Sequence, residues 1–246
     1  FTCRCRAVSA RSRRRVATGK PASPSVTARR GQIELLALGL TANELAALSR
    51  GGFVLVAERP NALLGLSTSR LQVPPGVGAA SALRRARSLV PGFEIARNDV
   101  YRRPDPLRFR PAGPSCGPSC LEYKTTSWTS AVHNCAIGSR IGVVDTGVDA
   151  QHSALKAARL TLRTIRSADR PPSETDHGTA VVSLIAGAPG TSVVGLAHGA
   201  DVFAADAFHG DGDAARADAF DLVGALDWLA SERVSTINLS MTGPAN

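Results

Sequence analysis

Ile141-Gly142-Val143-Val144-Asp145-Thr146-Gly147 is the stretch on which the fold turns. Its apolar run is β-branched, carries no charge and is stopped by a Gly turn, so it reads as a short, fully buried strand. Asp145 then sits at the strand's end, where open parallel sheets keep their chemistry. A second segment, Asp176-His177-Gly178-Thr179, follows with its His 32 positions after Asp145. Val181, Val182, Leu184 and Ile185 predict a helix from about Gly178 to Ala186, with Asp176 as candidate N-cap and Gly187 as the stop. His177 falls in its first turn. A helix N-terminus disfavours the imidazolium, and a carboxylate on one ring nitrogen fixes tautomer and orientation, so the pair suits a general base held by an acid.

Ile141 to Asp149 resembles the Asp motif of the subtilisin-like serine proteases (subtilases), and His177-Gly178-Thr179-Ala180-Val181 resembles their His motif. The order Asp, then His, then Ser is that of the subtilisin triad. The resemblance implies that Asp145 orients the imidazole and that His177 is the base. It also implies the fold class: α/β, the N-terminal part of a doubly wound parallel-sheet subtilisin-like domain. One rival chemistry uses the same letters, because Val144-Asp145-Thr146-Gly147 would serve as half of an aspartic protease dyad. No second Asp-Thr-Gly or Asp-Ser-Gly occurs, so that mechanism needs a homodimer and leaves His177-Gly178-Thr179 without a role.

Net charge is +9 over 246 residues, which invites a nucleic-acid partner until its distribution is read. Arg4, Arg6, Arg11, Arg13, Arg14, Arg15, Lys20, Arg29 and Arg30 lie in residues 1–30 with no acidic residue, and the other 20 basic side chains match all 20 acidic ones. The body is neutral, and no nucleic-acid partner is expected of it. No apolar run is long enough for a membrane span, and no secretory h-region is visible. A third class, nucleotide-binding α/β domains, is disfavoured because neither Gly-x-Gly-x-x-Gly nor a P-loop follows Val144. Phe1 in place of Met reads as an N-terminal fragment.

Residues 1–30 are read as a disordered basic leader. Residues 31–101 form an α+β unit. Strands are expected at Gln32 to Leu40, Phe53 to Val56, Leu63 to Val73 and Phe93 to Ile95. Helices are expected after the capping box Thr41-Ala42-Asn43-Glu44 and over Ala79 to Leu89. The order β-α-β-β-α-β is ferredoxin-like. Its position before a subtilase-like segment resembles the family's propeptide, which implies a cis-acting chaperone and inhibitor. Residues 102–135 are a Pro-rich linker and Cys-containing arm, with maturation cleavage expected between Tyr101 and Cys120. Cys116, Cys120 and Cys135 suit one disulfide better than a zinc site, with the pairing open.

Residues 136–246 form the partial catalytic domain. Strands are expected at Ala158 to Ile165 and Val202 to Phe208, and an amphipathic helix over Ala214 to Glu232 with Phe220, Val223, Leu226 and Leu229 inward. His198 stands where the family's turn usually has Pro and reads as structural. No cofactor is required. His209-Gly210-Asp211-Gly212-Asp213 has calcium-like composition without full ligand spacing and reads as a solvated turn. Thr236 to Leu239 reads as a buried strand, and Ser240, Met241, Thr242 and Gly243 resemble the family's substrate-binding edge, implying a polypeptide added by main-chain pairing. The nucleophilic Ser and oxyanion Asn expected of the family are not in the sequence as it stands. Gly190-Thr191-Ser192 lies where the family has a surface turn, which the resemblance implies here too, and the chain as written is expected to be inactive. The functions in view are a secreted serine endopeptidase and a non-catalytic peptide-binding or inhibitory homologue.

Overall fold

The computed structural model describes residues 33–103, 136–191 and 193–244. The basic leader, residues 104–135 of the linker and arm, all five Cys, Ser192 and Asn246 lie outside these residues. Six elements open the described chain: β1 (Glu34–Leu38), α1 (Ala42–Arg50), β2 (Val54–Asn61), β3 (Leu66–Gln72), α2 (Ala79–Leu89) and β4 (Ile95–Arg97). Thr41 caps α1 and Glu44 closes the capping box, which satisfies two orphan amides of the first turn. The strands pair antiparallel in the order β2-β3-β1-β4, the split β-α-β arrangement of ferredoxin-like units. β2 runs beyond the expected Val56, through Pro60 to Asn61. It lies on the sheet edge, where a missing amide costs no ladder bond.

Strand alternation gives this sheet two uses. Leu35, Ala37, Leu71 and Ile95 pack with Leu48, Ala82 and Ala86 of the two helices. The opposite face carries Arg70, only 1% exposed, and Arg59. That face meets the parallel sheet's half of the molecule, and all described residues fall in one compact unit.

β5 (Val100–Arg102), β6 (Arg140–Asp145), β7 (Arg159–Thr164), α3 (Asp176–Ala186), β8 (Asp201–Asp206), β9 (Arg216–Asp218), α4 (Ala219–Ser231) and β10 (Thr236–Leu239) complete the chain. A four-stranded parallel sheet has the order β10-β6-β8-β7. Val143, Val202 and Ala204 face Val182 and Ala186 of α3, while Val144, Phe203 and Ala205 face Ala225 and Leu229 of α4. Helices thus cover both faces, which is why β6 is apolar between Arg140 and Asp145: a doubly wound parallel sheet. Among the described residues no helix is long and apolar enough to cross a membrane.

Three local expectations are corrected. The helix expected from Ala214 begins at Ala219, because Gly212–Ala214 is a 3-10 turn and Arg216–Asp218 is a strand pairing with Val100–Arg102. Its inward side is Phe220, Leu222, Ala225, Trp228 and Leu229, whereas Leu226 is 37% exposed. β10 is an edge strand with Leu239 47% exposed, so it is not fully buried. Asp176 is the first residue of α3 rather than its cap, since Thr175 precedes it and makes no side-chain cap bond.

The start of α4 is completed from the first half of the chain. The Ala219 amide donates to the Asp99 carbonyl at 2.9 Å and the Phe220 amide to Asn98 Oδ1 at 2.9 Å, while Asp218 accepts from the Asp221 amide at 3.2 Å. Three otherwise orphaned first-turn donors are thereby satisfied. Arg59 and Arg70 lie 4.5 and 5.4 Å from the Phe220 ring centroid, within cation-π range. Arg170 bridges Glu34 of β1 at 2.7 Å and Asp218 at 2.9 Å.

Candidate active site

Asp145 ends β6 and is 2% exposed. His177 lies in the first turn of α3, and its Nδ1 stands 2.6 Å from Asp145 Oδ1, which also accepts the Thr146 amide at 2.7 Å. A buried carboxylate oxygen that accepts from Nδ1 holds the ring and leaves the other nitrogen available for proton transfer. His177 keeps 29% of its side chain exposed, so the free edge is reachable. Among the described residues no Ser or Thr hydroxyl bonds to it.

The two loops are stapled together by residues that the motifs share. Thr146 Oγ1 accepts the Gly178 amide at 2.9 Å, and Thr179 Oγ1 accepts the Asp149 amide at 2.8 Å. Gly178 has no room for a side chain: a Cβ there would lie 2.4 Å from the Gly147 carbonyl oxygen and 2.5 Å from that of Thr146. The close approach that brings His177 onto Asp145 therefore requires glycine at this point.

Ser173 and Asp206 were not singled out by the sequence. Ser173 Oγ accepts the Gly147 amide and donates to Asp206, each at 2.9 Å. Asp206 stands opposite Asp145 in the β6–β8 register, so a second acid does lie beside the first within one chain. Burial pushes its carboxyl above the ordinary range; the Ser173 bond and the Arg166 charge pull it down, and the Asp145 charge adds to the rise. Only its place one strand away could have revealed it.

The expected edge residues are brought to one place. Ser240 exchanges hydrogen bonds with the Asn238 side chain at 3.0 and 3.4 Å, and Met241 packs on the α4 core cluster beside Tyr101. Thr242 exchanges two main-chain bonds with Arg102, 2.9 and 2.8 Å long. A Cβ on Gly243 would come within 2.7 Å of the Tyr101 ring, so the missing side chain makes room for it. Residues 100–102 thus lie as an added strand between β9 and Thr242. His198 is partly buried, with Nδ1 3.3 Å from the Gly195 carbonyl oxygen. No group of His, Cys, Asp and Glu suited to a metal ion occurs among the described residues.

Residues 137–246 match the sequence model described as the Subtilase family. Solved structures similar to this chain include a mutant of the protease domain of PatA, with 24% identity, a TM-score of 0.36, and coverage of 43% of this chain and 40% of that one. A structure of the patellamide maturation protease PatA has 25% identity and a TM-score of 0.35, covering 45% and 39%. The chain spans about two fifths of the length of these two proteins. The family match contains the Asp145 strand, the His177 helix and the Ser240 to Gly243 edge, and over residues 137–246 this chain is similar to the Subtilase family.

Proposed function

We propose that this chain supplies the acid and base of a serine-type endopeptidase, with Asp145 orienting His177 and His177 taking the proton of an attacking Ser hydroxyl from elsewhere in the protein. The observation that carries the reading is the 2.6 Å contact between His177 Nδ1 and a buried carboxylate at the end of a parallel strand. In the same reading residues 31–101 are the cis-acting propeptide, the substrate is a polypeptide paired along Ser240 to Gly243, and the protein works outside the cytoplasm, as subtilases commonly do. The chain without a nucleophile would bind peptide and not cleave it.

The test is a longer form of the protein that carries a candidate Ser, assayed on a peptide amide after removal of residues 31–103. Hydrolysis that is abolished by H177A and by replacement of that Ser supports the reading; hydrolysis indifferent to H177A overturns it. A second reading, a peptide-binding or inhibitory homologue, is favoured by one observation: Arg102 is already paired with Thr242, and strand addition needs no nucleophile.

A further inference from the structure

The segment 100–103 shows what the cleft accepts, side chain by side chain. As in any strand, alternate residues face opposite ways. Tyr101 turns inward, onto Gly243 and the core beside Met241, while Arg102 is exposed to solvent. Arg103 turns inward again and is 16% exposed. Its guanidinium donates to the Gly212 carbonyl and lies 3.8 Å from Glu174 Oε1. That carboxylate is itself fixed, because Oε1 accepts the Gly212 amide at 2.6 Å. Glu174 lies two residues before α3, whose first turn carries His177.

Taking as its basis the reading of this cleft as a polypeptide-binding site, we infer that Glu174 is a specificity-determining residue: the cleft selects polypeptides with Arg or Lys two residues after an aromatic one. The main-chain bonds to Thr242 and β9 hold any sequence equally, so discrimination falls to the inward side chains. An anionic oxygen and a carbonyl oxygen converge on the Arg103 head group, and a cation satisfies both at once. A carboxylate there meets like charge, and an apolar residue leaves Glu174 without a cation and the Gly212 carbonyl with the Ala215 amide alone. The contact is only partly buried, so the selectivity expected is several-fold rather than absolute.

Amide hydrogen exchange on the whole chain tests this, read at the amides of Arg102 and Thr242, with core amides of Leu36 and Val143 as fold controls. E174Q keeps an acceptor for the Gly212 amide but removes the charge, and R103E reverses the partner. Each should speed exchange at Arg102 by roughly three- to fivefold, R103K should leave it near the parent rate, and the swap R103E/E174K should restore protection lost in R103E. Restoration is a response that a merely structural Glu174 would not give. Protected amides that ignore charge at positions 103 and 174 overturn the specificity and leave the cleft standing. Arg102 and Thr242 amides that exchange freely in the parent chain overturn the cleft reading, and the specificity with it.

Discussion

Arg59 on the edge strand of the antiparallel sheet donates to Asp221 in the first turn of α4 at 3.1 Å, across 162 positions of sequence. The same guanidinium reaches the carbonyls of Ile165 at 2.8 Å and Phe220 at 3.3 Å. Asp221 is fully buried, and Ser167 gives it two further donors. Burial pushes its carboxyl up and the Asp218 charge adds to the rise, while the Ser167 bonds and the Arg59 charge oppose them. The antiparallel sheet thus contributes a cation that opposes the rise of this buried acid.

Replacing Arg59 by Ala should destabilise the chain by about 1–2 kcal/mol, the range for a charge-assisted bond that is partly screened. Because the loss comes from a buried charge left short of a partner, it should shrink when Asp221 is also made Asn. Urea unfolding of the two single variants and the double variant reads the coupling. Equal losses from R59A with Asp or Asn at position 221 would show that the pair carries none of it.

Asn98 gives a second, independent measure of the same junction. Its side chain caps the Phe220 amide and holds Glu34 at 2.8 Å, so N98A should cost about 1 kcal/mol, the usual value of a lost cap. Exchange should rise at the Phe220 amide while the Leu36 amide in the other sheet stays protected.

At the candidate active site, Gly178 is the position least tolerant of change. G178A sets a methyl against two backbone carbonyls that cannot swing aside, and overpacking of this kind costs about 1–3 kcal/mol. The shift should separate His177 from Asp145 as well as lower the thermal midpoint. The low-field proton resonance expected of the Nδ1 bond in the parent should be lost in G178A and in D145N alike. In a form that cleaves peptide, D145N should lower kcat by about 10³–10⁴-fold. A G178A chain that keeps the resonance and the midpoint would refute the steric account.

The parts of this structure that could be read in sequence are those where local chemistry and burial agree. The strand ending on Asp145 is apolar because helices cover both its faces, and α1 announces its own cap in Thr41 and Glu44. The Asp145 and His177 motifs could be paired because each lies at the end of a regular element. What could not be read is set by distant partners. Ala214 to Ala217 is composed of good helix formers, yet it forms a turn and a strand because His209 and residues 100–102 claim its backbone. Arg70 is one charge in the mostly polar strand Leu66–Gln72, and nothing local shows that it will be 1% exposed over Phe220. Glu174 and Ser173 sit in a polar loop where any residue would look solvated.

The last prediction concerns acid. His209 is 4% exposed and begins the hairpin that carries β9: its backbone exchanges two bonds with Arg216, and its Nε2 accepts from Arg216 Nε at 3.2 Å. Burial lowers its pKa to about 4; the Asp218 charge opposes this, the Arg170 and Arg216 charges reinforce it, and Asp169 opposes it weakly. Asp169 itself is pushed up by burial but held below the usual range by the Arg70 bond and charge and by Arg170, so it stays ionised through the same window. A histidine whose folded pKa lies below its unfolded value of about 6.5 binds more protons when unfolded. Its contribution is therefore complete above pH ~6.5, is lost as pH falls from there toward about 4, and is on the order of 3 kcal/mol. The loss should appear first in β9, loosening the strand that holds residues 100–102, before the parallel sheet unfolds. Exchange at Arg102 measured at pH 7 and pH 5, in the parent and in H209Q, checks this: the parent should open on acidification beyond the intrinsic change in exchange chemistry. H209Q has no proton to gain and should show the same protection at both values; a parent chain that behaves like H209Q would remove His209 from the account.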